Sequence, residues 1–132
     1  MTIAANGAGT LIEIEADALC QLLAADAAIL VDVREEWEFA EARIPGAVSL
    51  PLSRFDLAAL PETDGRALVL TCAIGGRSAR AATMLLASGL SEVTHLRGGM
   101  TAWQAASLRT ISGGETAGGR LAEAALLPCV AA

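Results

Sequence analysis

Residues 70–78 read Leu-Thr-Cys-Ala-Ile-Gly-Gly-Arg-Ser, the stretch of this 132-residue chain best suited to covalent chemistry. Cys72 closes an apolar run, Gly75-Gly76 breaks the pattern, and a helical pattern opens at once. Backbone N–H groups in such a loop, and in the first turn of the helix behind it, have no intrahelical partner and converge on the loop centre. Residues 72–80 also contain two Arg and no acid, and electropositive surroundings favour a thiolate over a thiol. Gly75 and Gly76 permit positive φ and close approach of backbone to a bound group. The plainer alternative is a buried, inert cysteine finishing a strand. The Gly-Gly-Arg-Ser continuation favours a nucleophile: Cys72 attacks, and Ala73, Ile74, Gly75, Gly76, Arg77 and Ser78 form the loop that binds its product.

Loop length narrows the chemistry. Ala73 to Gly76, four residues, separate Cys72 from Arg77. Cysteine phosphatases and arsenate reductases use a longer Cys-to-Arg loop, wide enough for a tetrahedral oxyanion. A shorter loop draws the amides inward and leaves room for one extra atom on the thiol, a sulfane sulfur. No acidic residue after the loop stands out as proton donor to a phosphate leaving group. Phosphate or arsenate chemistry is therefore the secondary reading.

The elements that must position this loop alternate along the chain. Residues 28–33 and 67–71 are near-continuous apolar runs, as expected of strands covered on both faces. Shorter strands are predicted at 11–15, 47–50 and 93–96, and helices at 16–25, 35–41, 78–88 and 100–106, with a weak one at 53–60. Strands alternating with helices predict an α/β fold with a doubly wound, mostly parallel sheet. In such sheets ligands bind at the carboxyl ends of the strands, where Cys72 falls. Residues 1–10 read as a flexible lead-in, 11–106 as the domain, and 107–132, rich in Gly, Ala, Ser and Thr, as a C-terminal extension.

Composition excludes several classes. Hydrophobic residues make up 54% of the chain, so one domain with a real core is expected, built from Leu, Val and Ile because only two Phe and two Trp are present. All nine basic residues are Arg, which removes Lys Schiff-base chemistry, and the absence of Tyr removes a Tyr acid. A net charge of −6 argues against nucleic acid. One His and three Cys without a CxxC pair give no metal site, and no cofactor motif is present. The longest uncharged stretch, the first twelve residues, is too short to span a membrane. With no secretory signal visible and an odd cysteine count, a cytoplasmic location is expected.

Four segments in order resemble a known family. They are Val31-Asp32-Val33-Arg34 with Glu38-Phe39, Ile44-Pro45-Gly46-Ala47 leading to Leu50-Pro51, Cys72 to Ala79, and Leu96-Arg97-Gly98-Gly99-Met100-Thr101-Ala102-Trp103. The chain resembles a single-domain rhodanese, a sulfurtransferase, over about residues 11–106. The resemblance implies a five-stranded, mainly parallel sheet flanked by helices on both faces, and ping-pong sulfur transfer through a Cys72 persulfide. The partners implied are a small sulfur donor (persulfide, polysulfide or thiosulfate) and a cyanide, thiol or protein-cysteine acceptor, with a sulfur-relay protein as a further candidate. The class-level alternative is a non-catalytic binding or sulfur-sensing module on the same fold. Where the family usually has His before Ile-Pro-Gly, this chain has Arg43. Ala73 and Ile74 stand where thiosulfate-preferring members carry basic residues, so weak thiosulfate use and a persulfide or polysulfide donor are expected.

Asp32 and Arg34, at the end of a strand beside Cys72, are expected to support the active loop; a surface ion pair is the plainer alternative. Arg77 either touches substrate or braces the loop against Glu38 or Asp32. Ser78 is a helix cap or first helical residue, with a hydroxyl that could reach the sulfur. His95 reads as a satisfied structural histidine, Trp37 and Trp103 as packing anchors, Cys20 as core, and Glu35, Glu36, Glu38 and Glu41 as a solvated face. Cys129, in the apolar end of the tail, is either a packed terminal thiol or a resolving cysteine for the persulfide. That apolar end is also compatible with a homodimer.

Overall fold

The computed structural model describes residues 2–6 and 9–113, with side chains from residue 9 onward. The strands are β1 (Thr2–Asn6), β2 (Gly9–Ile14), β3 (Ala28–Asp32), β4 (Val48–Ser49), β5 (Ala67–Thr71) and β6 (Glu92–Leu96). The helices are α1 (Ala16–Ala24), α2 (Glu36–Glu41), α3 (Gly76–Ala87) and α4 (Gly99–Ala105). The sheet order is β1-β2-β6-β5-β3-β4. Strands β2 to β4 in that order are mutually parallel, so the expected five-stranded parallel α/β sheet is present. A sixth strand joins it: residues 2–6, read as a loose lead-in, pair antiparallel with β2 along its open edge. The strand β5 that carries the loop cysteine lies inside the sheet, between β6 and β3.

Alternation along each buried strand sends side chains to two separate cores. Val31, Val33, Leu70, Cys72 and Val93 pack under α3 with Ala81, Ala82, Leu85 and Leu86. Leu30, Val69 and Leu96 pack on the opposite face with Leu19 and Cys20 of α1 and Met100 and Trp103 of α4. Each fully buried Leu or Val contributes about 1.5–3 kcal/mol relative to exposure. Together the two layers hold the carboxyl ends of β3, β5 and β6 at one rim.

Two local expectations are corrected. Residues 53–60 form two short 3₁₀ turns, Leu52–Arg54 and Leu57–Ala59, not a helix. Leu57 remains exposed there, while Leu52, Phe55 and Leu60 pack only partly against the core. Trp37 is 65% exposed, whereas Trp103 is fully buried, so only the second anchors the core. The start of the extension, residues 107–113, folds back onto the domain. Trp103 donates its indole N–H to the Arg109 carbonyl at 2.9 Å, Ile111 and Arg43 exchange backbone hydrogen bonds, and Arg43 donates to the Gly113 carbonyl at 2.8 Å. Residues 114–132, with Cys129, lie outside the described residues.

Candidate active site

Cys72 is the first residue after β5, and the chain reverses at once into α3. Gly75 is the N-cap of α3 with φ of +110°, a conformation glycine adopts without a Cβ penalty, and this starts the helix at Gly76, two residues earlier than the pattern predicts. The turn aims the Gly75 N–H at the Cys72 Sγ, 3.0 Å away.

The loop's carbonyls are drawn the other way, toward α4. Met100 donates its N–H to the Cys72 carbonyl at 2.8 Å, and Thr101 to the Ala73 carbonyl at 3.0 Å. This contact is possible only because residue 99 is glycine. Its φ is +56°, and a Cβ there would lie 2.3 Å from the Cys72 carbonyl oxygen and 2.8 Å from the Ala73 carbonyl carbon. Gly98-Gly99 thus shapes the cysteine loop from across the rim, a role the sequence reading missed by treating the pair as a turn alone.

Around the sulfur, Cys72, Ala73, Ile74, Gly76, Arg77 and Arg80 line an open cleft of about 450 Å³. Ile74 is 73% exposed and gives the mouth an apolar lip. Arg77 is turned to the loop's side and grips Glu38 with both terminal nitrogens, at 2.7 and 2.9 Å. This is the geometry of the bracing role, while Arg77 also borders the cleft. The bidentate bond to Arg77 holds the Glu38 carboxyl down at about pKa 2 from an ordinary 4.5, against the opposing effect of burial. The same bond raises Arg77.

Glu38 is held in turn. It closes a reciprocal capping box with Glu35 at the start of α2. The other end of α2 is clamped by Arg34, whose Nη2 donates to the Ala42 carbonyl at 2.7 Å. Asp32 fixes Arg34 through Nε at 3.0 Å, Nη2 at 2.7 Å and the backbone N–H at 3.0 Å, and both residues are buried. Asp32 and Arg34 therefore sit behind the loop, joined to it through α2, Glu38 and Arg77. The acidic segment is not simply a solvated face: Glu35 bonds Ser53, Glu36 pairs with Arg54, and Glu38 braces the loop. Arg43, at the position where the family usually has His, is buried with its guanidinium 4.9 Å over the Phe39 ring.

Ser78 and His95 lie beneath the loop. Ser78, in the first turn of α3, has its Oγ 3.5 Å from Cys72 Sγ and 2.9 Å from His95 Nδ1. His95 Nε2 is 3.0 Å from Glu13 Oε2, so both ring nitrogens are satisfied, as expected of a buried histidine. Glu13 was not singled out by the sequence, and no local signal links it to a histidine 82 positions away. Among the described residues, no group of three or more His, Cys, Asp or Glu is placed to hold a metal ion. Nor is any helix among them long and apolar enough to cross a membrane.

An α/β sheet with a cysteine loop at the carboxyl end of an interior strand defines the class of this domain. The Rhodanese-like domain family matches residues 15–106, and the chain belongs to that family. It is 36% identical over 92 residues to a sulfurtransferase of Allochromatium vinosum, spanning 69% of this chain and 86% of that one. It is 42% identical over 107 residues to an uncharacterized protein of Synechocystis, covering 81% of this chain but only 60% of that relative's length. Among solved structures, a rhodanese-related protein from Thermoplasma volcanium superposes with a TM-score of 0.65 at 27% identity, over 76% of this chain and 97% of that one.

Proposed function

We propose that this protein is a rhodanese-type sulfurtransferase that carries sulfane sulfur on Cys72. The thiolate attacks the outer sulfur of a donor such as a persulfide, R–S–SH. A new S–S bond forms to Cys72, the donor's S–S bond breaks, and its electron pair leaves with RS⁻. Attack on the outer sulfur by cyanide, a thiol or a protein cysteine then transfers that sulfur and returns the Cys72 thiolate. The carrier sulfur does the covalent work, so the cycle needs no added cofactor or metal.

One observation carries the reading: the Cys72 Sγ takes the Gly75 N–H at 3.0 Å and borders the open cleft at the strand end. In that reading the Ala73 to Ser78 loop is the persulfide cradle, and Asp32 and Arg34 support it through α2. The identity to a protein named sulfurtransferase supports the same conclusion. Donor preference follows from charge. The Arg77 guanidinium is neutralised by Glu38, and Ala73 and Ile74 add no charge, so among the described residues Arg80 is the one unneutralised cation lining the mouth. That is a weaker attraction for a dianion such as thiosulfate than a mouth with basic residues at 73 and 74 would offer.

The test is intact-protein mass after treatment with glutathione persulfide, then with thiosulfate, for wild type and Cys72→Ser. The expected result is a gain of one sulfur atom in wild type and none at this site in the variant, with persulfide loading faster than thiosulfate. Thiosulfate used far better than persulfide would overturn the donor preference. No gain with any donor would leave a binding or sensing module on this fold.

A further inference from the structure

A continuous polar file leaves Cys72 on the side away from the cleft. It runs from Cys72 Sγ to Ser78 Oγ at 3.5 Å, to His95 Nδ1 at 2.9 Å, and from Nε2 to Glu13 Oε2 at 3.0 Å. Cys72, Ser78 and His95 are buried, whereas the Glu13 side chain is 29% exposed, so on the side away from the cleft the file reaches water at Glu13. It crosses the α3 face of the sheet sideways: His95 on β6 is the register partner of Glu13 on β2 and of Leu70 on β5.

We propose that Ser78, His95 and Glu13 form a proton relay that takes the proton from the Cys72 thiol when sulfur is loaded. Deepening the sulfurtransfer reading, this inference rests on Cys72 being the reacting thiol. For the neutral ring that the relay starts from, the donor order follows from elementary hydrogen bonding. An ionised Glu13 only accepts, so His95 Nε2 carries a proton toward it, and the neutral ring presents Nδ1 as acceptor. The Ser78 hydroxyl then donates to Nδ1, leaving its oxygen to accept the thiol S–H. Transfer moves the thiol proton to Ser78 Oγ and the original hydroxyl proton to Nδ1. The S–H bond becomes a thiolate lone pair and the ring becomes imidazolium, with no net change of charge.

The transferred state is also satisfied. The Gly75 N–H at 3.0 Å then serves the thiolate, Nδ1–H donates back to Ser78, and the Ser78 hydroxyl turns to the Gly75 carbonyl at 3.2 Å. The imidazolium faces the Glu13 carboxylate from β2, the Ser78 hydroxyl from α3, and the apolar Leu70 from β5. Substrate thus enters by the cleft and the proton leaves through the sheet. In a buried site, a positioned acid–base group of this kind contributes about 10²-fold or more.

The experiment is alkylation of Cys72 by iodoacetamide, read on the Cys72 peptide by mass spectrometry, in Ser78→Ala, His95→Gln and the partly exposed, less disruptive Glu13→Gln. At neutral pH the expected result is a loss of about tenfold or more in rate for Ser78→Ala and His95→Gln, and a smaller loss for Glu13→Gln. At about pH 10, where hydroxide removes an ordinary thiol's proton unaided, all should approach wild type. Ser78→Thr, which keeps the hydroxyl, should restore the neutral-pH rate. The same loss at both pH values, or none at neutral pH, overturns the relay. Alkylation needs no sulfur donor: a protein that alkylates as expected but takes up no sulfur keeps the relay and loses the transferase reading.

Discussion

At the scale of single residues, the thiol's surroundings depend on an ion pair that never touches it. Arg77 is the nearest cation in sequence; both its terminal nitrogens are bonded to Glu38, which fixes the loop, and its charge still acts on Cys72 through space. The pH dependence follows from the Glu38 carboxyl. Its pKa is lowered on folding from 4.5 to about 2, so its stabilisation is fully present above the unfolded value and is lost as pH falls through about 2. Arg77 is about a third exposed, so solvent screening keeps the pair to roughly 1 kcal/mol or less. Urea denaturation should find wild type more stable than Glu38→Gln at pH 6, with the gap closing between about pH 4 and pH 2. A gap that widens on acidification would contradict this account.

At the scale of elements, three glycines that look alike in sequence do different work. Gly75 turns the chain at φ of +110°, and Gly99 lets α4 approach the cysteine loop, whereas a Cβ on Gly76 would meet nothing within 4 Å. Gly99→Ala forces a left-handed conformation costing about 1–2 kcal/mol and adds a backbone clash, so a loss above about 2 kcal/mol is expected. Gly76→Ala, in the first turn of α3, should stay within about 1 kcal/mol of wild type. Thermal unfolding of the two variants checks the contrast, and the Gly99→Ala loop should also load sulfur more slowly. Equal melting temperatures would mean that α4 does not fix the loop.

At the scale of the whole molecule, the segment after α4 is bound to the domain by Arg43 as well as by packing. Arg43 lies buried beside Phe39, and its guanidinium reaches the Gly113 carbonyl. Arg43→Ala should release residues 109–113, with amide exchange at Ile111 and Gly113 accelerated about tenfold or more while the β5 amides stay protected. Uniform acceleration across the sheet would show that Arg43 supports the global fold instead. The parallel sheet, the strand-end cysteine and the short glycine loop were legible from sequence. Buried parallel strands are written as apolar runs, and a loop's length is a property of consecutive residues. The acidic segment, the glycine pair before Met100 and the lone histidine were visible too, but not what they hold. Glu38 meets Arg77 39 positions on, and His95 meets Glu13 82 positions back. Sequence periodicity reports which face of an element is buried. Which polar group from another element meets it is decided only when the sheet register brings distant strands side by side.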